Sequence, residues 1–164
     1  MKKIVFFLLF ISYAGMAQEF YEIRTYQMKF GGKVGILENY LSKALIPALN
    51  KYGVSKVGVF KDYGKPEPAI VVVAIPFGSL SAYAGYKDAL EKDAEYQQAS
   101  GAYFQQVGLD KPMFEKVSIY LAKAFAGHPA LTLPNKQASR IYEWRTYEAY
   151  NEDALKRKIA MFND

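Results

Sequence analysis

Tyr21-Glu22-Ile23-Arg24-Thr25-Tyr26 returns as Tyr142-Glu143-Trp144-Arg145-Thr146-Tyr147, with five of six positions identical. The copies start at residues 21 and 142, a separation of 121 residues. Each follows an apolar residue, Phe20 or Ile141, and each precedes a helix-like stretch, so the motif reads as the opening of a domain. A period of that length points to a duplicated domain, since solenoid repeats are much shorter. The second copy reaches Asp164 barely past its first helix. The expectation is a strand and helix of a second, incomplete repeat over 140–164, whether the polypeptide continues or the second unit has decayed.

Between the two copies the pattern resolves into elements. Phe20 to Met28 alternates as a strand with two usable faces. After a turn at Gly31-Gly32, Val34, Leu37, Leu41, Leu45 and Ala48 recur at helical spacing, and Gly53 is placed as a left-handed cap. Pro47 removes a backbone donor inside that helix and predicts a bend in its last turns. Val54 to Phe60 reads as a second strand, 61–66 as a hairpin turn, and the β-branched run from Ala69 to Ile75 as a strand inside a sheet, broken by Pro76-Phe77-Gly78. Ser79 caps a helix through Leu90, Asp93 caps a further short helix, and Lys116 to Phe125 supplies the last strand. The order strand, helix, strand, strand, helix, strand is the ferredoxin-like α+β pattern, a sheet with its helices on one face. An apolar open face invites packing against a second such sheet, within the chain or between two chains.

The first seventeen residues read differently. Lys2 and Lys3, a compact apolar run from Ile4 to Ile11, and the small-residue end Gly15-Met16-Ala17 have the form of a secretory signal peptide cleaved after Ala17. The run is shorter than the roughly 20 residues a membrane span needs. The expectation is an exported chain, periplasmic or secreted, with no stable membrane span after cleavage. The domain expectation is then a signal peptide at 1–17, a ferredoxin-like unit at 18–126, a linker carrying Pro129 and Pro134 at 127–139, and the incomplete repeat at 140–164.

Charge and composition exclude several classes. Removing Lys2 and Lys3 lowers the formal net charge from +5 to +3, 19 basic against 16 acidic side chains, and both signs are interspersed. That is too mild for a nucleic-acid partner. With no cysteine, thiol catalysis, disulfides and iron–sulfur clusters are excluded. His128 is the only histidine and sits in the Pro-flanked linker, so no metal site and no cofactor is expected. No phosphate-binding glycine pattern is present, as Gly31-Gly32-Lys33-Val34-Gly35 lacks the spacing. Of fourteen tyrosines, those at 83, 86, 96 and 103 fall near helical spacing and are expected to pack on helices, with a ring-lined pocket for a flat ligand as the alternative.

Taken together, the Tyr-Glu-x-Arg-Thr-Tyr strand, the helix that carries Pro47 and closes on Gly53, and Leu90-Glu91-Lys92-Asp93-Ala94-Glu95-Tyr96 resemble the NIPSNAP family of the dimeric α/β-barrel superfamily. The resemblance spans most of 20–125. It implies a ferredoxin-like unit that pairs through its open sheet face into a barrel, as a homodimer or an intramolecular pseudo-dimer. It implies no defined reaction.

On a strand, Glu22, Arg24 and Tyr26 share one face while Tyr21, Ile23 and Thr25 share the other, and the second copy sorts identically. Ile23 and Trp144 are large and apolar, so that face is expected under the helices. The candidate ligand-binding residues Glu22, Arg24 and Tyr26, with Glu143, Arg145 and Tyr147, would then point into the barrel interior. An enclosed Arg with a neighbouring Tyr suits a carboxylate or enolate oxygen. Three readings follow: a module that binds a small hydrophobic or anionic ligand or a protein partner; a small enzyme by analogy with cofactor-independent monooxygenases or haem-processing relatives of the fold; or a structural dimerisation module in which the Glu–Arg pair sets register.

Overall fold

The computed structural model of the chain describes residues 18–64, 66–107, 112–132 and 140–164. The expected signal peptide and residues 133–139 of the expected linker lie outside them. Four strands, β1 (Phe20–Met28), β2 (Gly58–Lys61), β3 (Ile70–Phe77) and β4 (Phe114–Lys123), form one antiparallel sheet in the order β2-β3-β1-β4. With helices after β1 and β3, this is the ferredoxin-like α+β arrangement.

The helix after β1 runs as α1 (Val34–Tyr40), a π turn at Leu41–Leu45 and α2 (Ile46–Lys51). Leu37, Tyr40, Leu41, Ala44, Leu45, Ala48 and Leu49 form its buried stripe. Pro47 has no N–H for the carbonyl four residues back, and the turn before it widens so that the Ile46 N–H reaches Leu41 O. Gly53 closes the helix at φ 84°, and the Val54 N–H donates to Leu49 O at 2.9 Å. That bond explains why the second strand starts at Gly58 and not at Val54: the Val54 amide belongs to the helix end, and its side chain fills the core.

The third strand runs through Pro76, against expectation. β2 begins at Gly58 opposite Ala74, so among the described residues no strand lies beside Pro76 on that side to require its missing donor. Ser79 Oγ accepts from the Ala82 N–H at 3.0 Å and opens α3 (Leu80–Lys92). Asp93 Oδ1 accepts from the Glu95 and Tyr96 N–H groups at 3.0 and 3.2 Å and opens α4 (Ala94–Val107), longer than the short helix expected.

Residues 124–132 cross the end of the sheet. Ala124 N–H donates to Glu19 O, Glu19 N–H to Pro129 O, and Leu131 N–H to the Glu19 carboxylate at 2.7 Å. Beyond 140 the second copy of the motif is not a strand and pairs with none among the described residues; α5 (Glu152–Asn163) follows, capped by Asn151. Tyr142 and Trp144 pack on Phe60, with ring centroids 5.5 and 5.8 Å away. Phe60 pairs with Val72, whose partner on β1 is Thr25, so this contact lies on the sheet's open face. Tyr147 instead meets Phe162 and Lys158 of α5. Among the described residues no helix is long and apolar enough to cross a membrane.

Candidate functional site

The sorting of the strand motif stands as expected, but its two faces are exchanged. Glu22, Tyr26 and Met28 are buried at 0, 4 and 0% exposure and face the helices, while Tyr21, Ile23 and Thr25 look to the open face. The neighbours decide this. Phe20, Glu22, Arg24 and Tyr26 stand directly beside Phe77, Ile75, Val73 and Val71 of β3, the most buried apolar row in the sheet. Ile23 stands beside Ala74 and Tyr120 on the opposite face, away from the row that Tyr86 of α3 covers. A buried carboxylate can occupy the helix face because its oxygens are both satisfied: Arg24 Nε donates to Oε1, and the Tyr86 hydroxyl of α3 donates to Oε2 at 2.6 Å.

Arg24 is the centre of the site. Beyond Glu22, it donates from Nη2 to the Tyr86 hydroxyl at 2.9 Å and from Nη1 to the Tyr26 hydroxyl at 3.4 Å. Burial works against its charge, but Tyr26, Tyr86 and Glu22 more than offset that and hold its pKa above the ordinary arginine value. Its side chain, 12% exposed, forms part of the floor of a cleft of ≈ 460 Å³ between β1 and β4 on one side and α3 and α4 on the other. Tyr26, Tyr40, Tyr96, Tyr103 and Phe114 are among its walls. Tyr40 and Tyr103 stack with centroids 3.9 Å apart, and the Tyr40 and Tyr96 hydroxyls are 2.9 Å apart.

The ring-lined pocket is thus the arrangement that tyrosines 86, 96 and 103 adopt. Tyr83 sits outside it, edge-on to Phe77. Tyr40 was not among the sequence candidates, although its place on the stripe of Leu37, Leu41 and Ala44 marks it as core-facing. In the sequence Asp93 stands out as a cap and as part of the Leu90–Tyr96 element. It also accepts from Lys51 Nζ at 3.0 Å and the Tyr52 hydroxyl at 3.2 Å, fixing the end of α2 to the start of α4 and so placing Tyr96 in the cleft.

The second triad reproduces the first without its burial. Arg145 Nη2 donates to Glu143 at 2.5 Å and Nη1 to the Tyr147 hydroxyl at 3.5 Å, with the Arg and Glu side chains 59 and 68% exposed. The two triads do not share one enclosed interior. His128 is exposed in the turn after β4 and does not line the cleft.

The NIPSNAP family model matches residues 21–111, the span that holds the buried triad, the capping Asp93 and every helix around the cleft. The chain belongs to the NIPSNAP family. Among solved structures it resembles a NIPSNAP family protein of unknown function from Agrobacterium tumefaciens, 21% identical over 65% of this chain and 87% of that one, with a TM-score of 0.48. An uncharacterised NIPSNAP domain protein from Burkholderia xenovorans is 18% identical over 71% of this chain and 99% of its own, with a TM-score of 0.48. A dimeric ferredoxin-like protein of unknown function from Thermobifida fusca is 11% identical over 65 and 91% of the two chains, with a TM-score of 0.40. No curated protein matches the chain.

Proposed function

We propose that this NIPSNAP protein is exported and binds a small hydrophobic, anionic ligand in the cleft over Arg24. One observation carries the reading: a permanently charged guanidinium, its own counter-ion fully buried, forms the floor of a ≈ 460 Å³ hollow walled by aromatic rings. That is the usual make-up of a ligand site, a mostly apolar concavity with a few placed polar groups. The phenols around it favour binding over turnover. Burial raises the pKa of Tyr40, Tyr86 and Tyr103, so they stay protonated at neutral pH and act as donors, not as bases.

The test is native mass spectrometry of the mature chain purified from its own cell envelope, beside Glu22→Gln/Arg24→Met, which removes both charges together and leaves neither buried alone. A discrete retained mass in the wild type that disappears in the double variant is the expected result. Identical, adduct-free spectra would remove the basis for a ligand at Arg24. The same spectrum tests export, because a chain beginning at Gln18 is expected and one retaining Met1 contradicts it.

A second reading concerns the open face, where one contact favours assembly. Tyr142 and Trp144 correspond to Tyr21 and Ile23, which point to the open face of the first unit, and they meet that face at Phe60. Equivalent faces of the two copies are therefore turned toward each other, as in a pseudo-dimer. Sedimentation velocity of the wild type and Phe60→Ser checks it. A weakened dimer, or a monomer whose 140–147 segment becomes protease-sensitive, is the expected outcome.

A further inference from the structure

The hydrogen-bond inventory of the cleft is lopsided, and this defines the ligand further. Each donor and acceptor can be followed among the described residues. The Tyr86 hydroxyl accepts from Arg24 and donates to Glu22, so it is saturated. The Tyr26 hydroxyl accepts from Arg24, and its own proton has no acceptor. The Tyr40 and Tyr96 hydroxyls share one bond, which leaves one of their two protons without an acceptor. The Tyr103 hydroxyl makes no hydrogen bond and is not a buried orphan, because no buried side-chain polar atom among the described residues lacks a partner; the residue is 8% exposed and lines the cleft. It lines the same cleft as Arg24, Tyr26 and Tyr96, so these groups converge. Arg24 spends three of its five N–H donors on Glu22, Tyr26 and Tyr86, and two remain. The Glu22 carboxylate is sealed from the cleft, and the other polar side chains that line it, Lys87, Glu91 and Gln97, are solvent-exposed.

Resting on the ligand reading of this cleft, we infer that it is an oxyanion site, built to take a ring-bearing carboxylate, phenolate or enolate whose charged oxygen is received by Tyr26, Tyr103 and the Tyr40–Tyr96 pair. Around Arg24 the buried groups keep donors to spare while the buried carboxylate is sealed, which favours a group that only accepts. A neutral amide brings N–H groups that meet only phenol oxygens beside Arg24, weaker acceptors than the carboxylate sealed beneath them. Cations meet Arg24. The ring belongs against the Tyr40–Tyr103 stack, where flat surface is already presented.

The experiment uses three probes of one shape, 2-naphthoate, 2-naphthamide and 2-naphthylmethylammonium, titrated calorimetrically at neutral pH into wild type, Tyr103→Phe and Tyr26→Phe. Tyr103→Phe deletes an oxygen that holds nothing in the free protein, so it is expected to fold as the wild type does. Naphthoate should bind at least about tenfold more tightly than the amide, equivalent to about 1.4 kcal/mol, and each Phe variant should erode that preference severalfold while affinity for the amide changes little. Equal affinity for all three probes would overturn the oxyanion assignment and leave a hydrophobic ring cleft standing. Absence of binding by every probe would overturn the ligand reading together with it.

Discussion

Glu22 and Glu143 occupy the same place in the same motif and pair with the same type of partner two residues on, yet one is sealed and the other stands in water. The pairing itself is legible in the sequence, because residues two apart on an extended chain share a face. Its environment is not, because burial depends on what other segments place on top. The consequence is measurable. Glu22→Gln strands the Arg24 charge in the interior and should cost about 3–5 kcal/mol in urea denaturation. Glu143→Gln should leave the midpoint unmoved, since exposed pairs contribute little.

Asp93 gives a third prediction at this scale. Its hydrogen bond from Lys51, then that from the Tyr96 N–H, hold its pKa below the ordinary carboxylate value of about 3.9. A carboxylate with a depressed folded-state pKa contributes stability above its unfolded pKa and loses it as pH falls through the folded value. The wild-type melting temperature should therefore drop more steeply below about pH 4 than that of Asp93→Asn, followed by circular dichroism across an acid series.

Among the elements, those punctuated by local chemistry are where the sequence puts them. Ser79, Gly53 and the alternating strand from Phe20 to Met28 each act through their own backbone, so their roles can be read without knowing the fold. Ser79→Ala should destabilise by about 1 kcal/mol, and Gly53→Ala by about 1 kcal/mol because its φ of 84° favours glycine. Elements set by neighbours depart from the sequence reading. Pro76 looks like a strand terminator but stays in β3 because the adjacent edge is vacant there. Val54 looks like the first residue of a strand but its amide is committed to the preceding helix. The second Tyr-Glu-x-Arg-Thr-Tyr looks like a strand but pairs with none among the described residues, its rings packing on Phe60 instead.

Among the described residues the two copies are tied together by Phe60 with Tyr142 and Trp144, and by the turn after β4 with the end of α5. At the second place Phe125 stacks on Phe162, and the Gly127 N–H donates to the Asn163 side chain at 3.0 Å. A Cβ on Gly127 would come within 2.6 Å of the Asn163 backbone oxygen. Gly127→Ala should accordingly release α5, seen as faster amide exchange over 152–163 with the exchange of β1 and β3 unchanged; protection lost throughout would show instead that α5 is integral to the core.

The first strand's alternation, the helix periodicity, the caps and the Glu–Arg–Tyr grouping within each copy came from short-range chemistry, and each survives in the folded chain because it depends on residues a few positions apart. Which face of β1 is covered did not. Both faces carry large side chains, so alternation alone gives two equally good solutions. The choice was made by the long-range pairing of Glu22, Arg24 and Tyr26 with the buried row Ile75, Val73 and Val71, and by Tyr86 arriving from α3 to satisfy the carboxylate. That same closure turned a predicted barrel-interior triad into the floor of a cleft beneath the helices, because a charge can be enclosed only where its partners converge.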